Sequence, residues 1–137
     1  MPVVLIFQRT FEHYRLPVFR LLSSRLSSVG DIAVASPITN ESQLQDLSLP
    51  YETHNLEVST YGIAGQEYIH RYRNWENLLF KVRPKVVIAE GVPRIVSLYS
   101  MLNLARDRNM RTIAWTKYDN TASWPKSWIW KDFLSRW

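Results

Sequence analysis

The sequence predicts a three-layer α/β domain on an open, mostly parallel sheet, a Rossmann-like architecture. Two short apolar runs, Val3-Val4-Leu5-Ile6-Phe7 and Val86-Val87-Ile88-Ala89, show no polar alternation, as expected of strands covered on both faces. Each is followed by apolar residues at helical spacing. Residues 86–115 read as strand, turn, helix and strand; such a crossover sets its two strands parallel and is almost always right-handed.

Taken in order, residues 3–7 are the first predicted strand. From about residue 12 to 28 a helix is expected, with Val18, Leu21, Leu22, Leu26 and the following Val29 at helical spacing and Pro17 tolerable in the first turn. Gly30 is a natural C-terminal cap. Ile32-Ala33-Val34-Ala35 reads as a second strand, and residues 36–50, with Pro37, Asn40 and Pro50, read as loop. Residues 51–58 alternate weakly as a third strand. Over residues 65–82, Tyr72, Trp75, Leu78, Leu79 and Val82 favour a helix that stops before Pro84. After the strand at 86–89, Gly91 and Pro93 make the turn, Ile95, Leu98, Tyr99, Leu102 and Ala105 form the apolar face of a helix, Asn109 caps it, and Thr112-Ile113-Ala114-Trp115 begins the next strand.

The 137 residues are read as one domain, 1–137. A hydrophobic content of 46% against 21% charged excludes a disordered or low-complexity chain. With no cysteine there is no disulfide, thiolate metal site or cysteine nucleophile, which suits a cytoplasmic setting. Seventeen Lys and Arg against twelve Asp and Glu leave a net charge of +5, suited to phosphate, nucleic acid or an anionic membrane surface. The first apolar run is too short for a signal peptide or a membrane span, so neither is expected.

Ligands of open parallel sheets bind outside the carboxyl ends of the strands. The loops at that edge carry Gln8-Arg9-Thr10, Glu90-Gly91 and Lys117-Tyr118-Asp119. Glu90 or Asp119 alone reads equally as a capping residue; their convergence on one sheet edge favours a functional role. His13, near the mouth of the first strand, is either solvent-facing or a hydrogen-bonding partner for a substrate hydroxyl or phosphate. Familiar chemistries fail on inspection. There is no glycine fingerprint for a dinucleotide, no P-loop, no acidic pair after the first strand for magnesium, and no Gly-x-Ser-x-Gly elbow. His13, His54 and His70 lack ligand-type partners at helical spacing, so no metal is expected.

Tyr14-Arg15-Leu16-Pro17-Val18-Phe19-Arg20 after the first strand resembles the "YR-x-P" helix that opens the N-terminal half of group 1 glycosyltransferases of the GT-B fold. Arg83-Pro84-Lys85-Val86-Val87-Ile88 is similar to their "kPDvVi" strand, and Arg111-Thr112-Ile113-Ala114-Trp115-Thr116 to the strand facing their interdomain cleft. Gln8-Arg9 stand where the family often has a glycine pair. The resemblance implies the acceptor-side half of a transferase that moves a sugar from a nucleotide sugar to a saccharide or lipid-linked acceptor, without metal or cofactor. The donor would be held mainly by a second Rossmann-like domain or a partner chain. Glu90 and Asp119 would then stand at the reacting centre and accept hydrogen bonds from acceptor hydroxyls, and Arg9 or Lys117 would neutralise phosphate. Gln8, Thr10, His13, Gly91 and Tyr118 complete the implied substrate-binding set.

Two other readings stand beside this one. The chain also reads as a noncatalytic α/β binding module, or one subunit of a two-chain transferase. An RNA-binding module would use Tyr68, Tyr72 and Trp75, interleaved with His70, Arg71 and Arg73, although no RRM or KH signature accompanies them. In the C-terminal segment, 121–137, Trp124, Trp128, Trp130, Phe133, Leu134 and Trp137 accompany Lys126, Lys131 and Arg136. Such a segment either makes peripheral contact with an anionic membrane or packs on the sheet or a second domain.

Overall fold

The computed structural model describes residues 2–10, 13–38, 48–63, 66–92 and 94–115. Asn40, Pro93, the side chain of Tyr68, Lys117, Tyr118, Asp119 and the Trp-rich segment 121–137 lie outside the described residues, together with the expectations placed on them. The chain runs β1 (Pro2–Phe7), a 3-10 turn (His13–Arg15), α1 (Leu16–Leu26), β2 (Asp31–Ser36), β3 (Glu52–Asn55), β4 (Val58–Ile63), β5 (Gln66–Tyr72), α2 (Trp75–Val82), β6 (Val86–Glu90), α3 (Leu98–Asp107) and β7 (Arg111–Trp115). It is an α/β fold with a five-stranded sheet in the order β3-β2-β1-β6-β7, parallel at every pairing, and helices on both faces. As expected of an unbroken apolar run, β1 is the central strand.

Both faces of β1 are buried because side chains alternate across a strand. Val4 and Ile6, with Ile32 and Val34 of β2, pack with Phe19 of α1. Leu5 and Phe7, with Ala33, Ala35, Val87 and Ala89, pack with Leu78, Leu79 and Val82 of α2 and Leu98, Met101 and Ala105 of α3. The split follows from crossover handedness. The chain leaves β1 towards β2 but later crosses to β6 on the other side, and right-handed connections in opposite directions put their helices on opposite faces.

Helix α1 starts later than the spacing predicts, and it buries different residues. Leu16 and Phe19 are buried, with Leu22 and Leu26 packed beside them, whereas Val18, Leu21 and Val29 are exposed. Pro17 sits in the first turn, as expected. The N–H of Gly30 bonds the Leu26 carbonyl at 2.9 Å, and its φ of 154° is one that glycine adopts without a Cβ penalty. At the end of α3, Asn109 takes the left-handed conformation at φ 57° that asparagine tolerates.

The helix expected over 65–82 is the main correction. Only Trp75–Val82 is helical; Gln66–Tyr72 is a strand paired antiparallel with β4, and the strand expected at 51–58 is divided between β3 and β4. Around the end of β5, burial alternates: His70 and Tyr72 are buried, while Ile69 and Arg71 are exposed. A period of two belongs to a strand, and the helical spacing of Tyr72 with Trp75 arises because that window straddles a strand and a helix. Asn74 closes the hairpin base: its Oδ1 accepts from the Glu57 N–H and its Nδ2 donates to the Asn55 carbonyl, both at 2.9 Å. Tyr72 and Trp75 belong to the core, so neither forms an exposed stacking platform for bases.

Candidate functional site

In an open parallel sheet the crevice forms where the strand order reverses. Here that place lies between β1, which continues to β2 on one side, and β6 on its other side. Register sets Phe7 beside Ala89, so the next residues, Gln8 and Glu90, emerge side by side at the carboxyl edge. The connection from β1 to a parallel β2 also brings the N-terminus of α1 to this edge.

Glu90 is the centre of the cluster, with a side chain only 8% exposed. Its Oε1 accepts from Nη1 of Arg15 and its Oε2 from the Arg9 N–H at 3.4 Å, while Arg9 Nε lies 4.0 Å from Oε2. The expectation that Glu90 caps a following helix is therefore not met; it anchors two arginines across the crevice. Arg15 lies in the Tyr14-Arg15-Leu16-Pro17 element, at the position before α1, and its guanidinium also lies 4.8 Å from the Trp115 ring centroid and 5.4 Å from that of Tyr14. Burial works against its charge, but the hydrogen bond and charge of Glu90, with a smaller contribution from Tyr14, hold its pKa above the usual arginine value.

The hairpin of β4 and β5 adds a third side. The His70 N–H bonds the Arg94 carbonyl at 2.9 Å and the Val96 N–H bonds the His70 carbonyl at 3.0 Å, which fastens β5 to the segment after β6. Arg9 Nη1 lies 3.1 Å from His70 Nε2, and Thr60 Oγ1 lies 3.2 Å from His70 Nδ1. A guanidinium can only donate, so Nε2 accepts and the ring proton sits on Nδ1, directed to the Thr60 hydroxyl. Tyr72, stacked on Phe7 with centroids 6.2 Å apart, is pushed up in pKa by burial first and then by the Glu90 charge, against the opposing pull of Arg9 and Arg15. Its hydroxyl stays protonated.

Several buried donors in this region have no hydrogen-bond partner among the described residues: Gln8 Nε2, Arg9 Nε, Arg15 Nε and the Tyr72 hydroxyl. Each unmet buried donor costs about 1–3 kcal/mol.

Of the residues singled out from sequence, Gln8, Arg9, Glu90 and Gly91 come together at this edge, and Gly91 donates its N–H to the Trp115 carbonyl at 2.6 Å. Thr10 is half-buried beside Arg9, and His13 is exposed in the 3-10 turn. Arg15, quoted only as part of the YR-x-P element, and Thr60 were not candidates for this edge, and His70 and Tyr72 were named only for an RNA-binding surface. Arg15 carried a usable signal, because an arginine just before the first helix of a parallel sheet stands at the ligand edge. The other three reach the site only through the hairpin.

At the opposite edge, a cavity of about 830 Å³ is lined by Arg83, Lys85, Arg108, Arg111 and Phe80, among others. Two of its arginines have structural work: Arg83 and Arg108 cap the C-terminal ends of α2 and α3, where cations offset the helix dipole, and Arg83 Nε donates to the Phe80 carbonyl. The convergence of buried polar groups at the carboxyl edge makes that edge the candidate site.

Comparison of the chain with protein-family models, with curated proteins and with solved structures finds no match. The functional reading therefore rests on site geometry and on the sequence motifs. Among the described residues there is no group of three or more His, Cys, Asp or Glu that could hold a metal ion, and no helix long and apolar enough to cross a membrane.

Proposed function

We propose that this chain is the acceptor-binding half of a GT-B-type glycosyltransferase acting from a nucleotide sugar. The observation that carries the reading is the ion-paired cluster of Glu90, Arg15 and Arg9 at the strand-order reversal, with Arg15 supplied by the YR-x-P element. In such a transferase the leaving diphosphate must be stabilised and the acceptor hydroxyl held beside the anomeric carbon, tasks of positioning and electrostatics. Glu90, held by Arg15 and the Arg9 N–H, is a positioned anion rather than a free base. That same engagement favours the second reading, a binding module with no chemistry of its own.

A glycan array probed with the full chain tests the proposal: retention of saccharides, lost in a Glu90→Gln, Arg15→Gln double variant that keeps the fold by circular dichroism, is the expected result. Calorimetry with nucleotide diphosphate sugars should give a Kd no tighter than about 1 mM, since the donor belongs to the other half. Micromolar donor binding by this chain, or no saccharide retained, would overturn the assignment.

A further inference from the structure

The polar groups of the site are unbalanced, and the imbalance has a chemical direction. Gln8 Nε2, Arg9 Nε, Arg15 Nε and the Tyr72 hydroxyl are buried donors without acceptors among the described residues, and Gln8 and Tyr72 are each only 1% exposed. The acceptors close to them are already engaged: both Glu90 oxygens face the arginines, and His70 Nε2 faces Arg9. Among the described residues, two guanidinium groups face one carboxylate, an excess of one positive charge. Helix α1 points the positive end of its dipole to the same edge, with no side-chain cap and no acidic residue in its own first turn. A neutral sugar brings hydroxyls that both donate and accept and carries no charge. An oxyanion brings only acceptors, together with the missing negative charge.

We propose that Gln8, Arg9, Arg15 and Tyr72 form a binding site for a phosphate group carried by the acceptor. The inference rests on the acceptor-binding reading and narrows it to a phosphorylated acceptor, either a sugar phosphate or a lipid-linked phosphate. The donors come from separate elements, Gln8 and Arg9 after β1, Arg15 in the 3-10 turn and Tyr72 at the end of β5, and a phosphate with three or four free oxygens can accept from several donors at once where a carboxylate has two. Arg9 is the exposed member of the set, with 37% of its side chain accessible and its Nε 4.0 Å from Glu90, so it is the donor a ligand meets first.

The experiment is an NMR titration of the full chain with inorganic phosphate at constant ionic strength held by chloride. Hexose phosphate and a short-chain polyprenyl phosphate follow as separate arms. Gln8→Leu and Tyr72→Phe are the informative variants, because each removes an unpaired donor without breaking an ion pair. Phosphate should shift the amides around residues 8–10 and 90–92, with each variant weakening binding by about tenfold, the effect of one hydrogen bond to a charged group. Arg108→Gln at the opposite edge should leave it unchanged. The tighter of the two organic arms names the source of the phosphate. A phosphate response no larger than that to chloride, or equal affinity in Gln8→Leu and Tyr72→Phe, would assign these donors to buried water and overturn the proposal. The glycan array separates the two inferences: phosphate binding without saccharide retention keeps the oxyanion site and removes the acceptor role, and saccharide retention without a phosphate response does the reverse.

Discussion

The pairing of Glu90 with Arg15 lends itself to a double-mutant cycle of Glu90→Gln and Arg15→Gln. Their side chains are 8% and 15% exposed, so the pair is shielded from water and the discount usual for surface ion pairs does not apply. Glu90→Gln keeps the shape but leaves Arg15 facing an amide. Loss of one partner of a buried pair costs about 3–5 kcal/mol, and the low end applies because Arg15 also rests on the Trp115 ring. For a chain of this size that is a fall in Tm of about 10 °C, taking roughly 3 °C per kcal/mol. The double variant removes both charges, so it should recover part of the loss, with a coupling energy of about 2 kcal/mol. Urea unfolding of the wild type, both single variants and the double, followed by circular dichroism at pH 7, measures all four corners. The coupling should persist in high salt, because little solvent reaches the pair. A coupling below about 0.5 kcal/mol, the range of exposed pairs, would refute the buried anchor and with it the reading of Glu90 as a positioned anion.

Three further outcomes are expected. His54 on β3 has its pKa lowered from 6.5, by burial first, with Glu52 opposing and Lys81 reinforcing the shift; its Nε2 lies 3.0 Å from Glu52 Oε1 without hydrogen-bond geometry. The fold therefore favours the neutral ring: its contribution is complete above pH 6.5 and is lost as pH falls towards the lower folded value, so His54→Asn should flatten the urea stability profile below that pH. Tyr72→Phe, which deletes an unpaired buried hydroxyl and keeps the ring on Phe7, should match or exceed wild-type stability, whereas Tyr72→Ala should cost about 3–5 kcal/mol; equal losses in calorimetric melts would contradict that account. Leu5→Ala in the fully buried centre of the sheet should cost about 2–5 kcal/mol, and Ile113→Ala on the half-exposed edge strand under about 1; comparable costs by chemical denaturation would argue against β1 as the central strand.

How much of this was legible in the sequence follows from the range over which each signal acts. Residues 3–7 and 86–89 announce themselves as buried parallel strands because burial on both faces requires an unbroken apolar run. The parallel pairing of β6 and β7 follows from the strand, helix and strand they form, and the position of Gln8, Arg9, Glu90 and Gly91 at the carboxyl edge follows from the polarity of such a sheet. The face that α1 buries was misread, because Val18 and Leu21 have the same apolar character as Phe19 and only contact with β1 and β2 decides which of them turns inward.

The hairpin and all that depends on it were settled by tertiary structure. Residues 66–72 become a strand by pairing with residues 58–63 and by docking against residues 94–96, contacts that a local window does not contain. Periodicity reports which faces are apolar within one element; it does not report which element lies opposite. For that reason Arg9 could be placed at the carboxyl edge from the sequence, but His70, Thr60 and Tyr72 could not be placed beside it. The excess of donors over acceptors among the described residues exists only where side chains after β1, in the turn before α1 and on β5 and β6 meet in space.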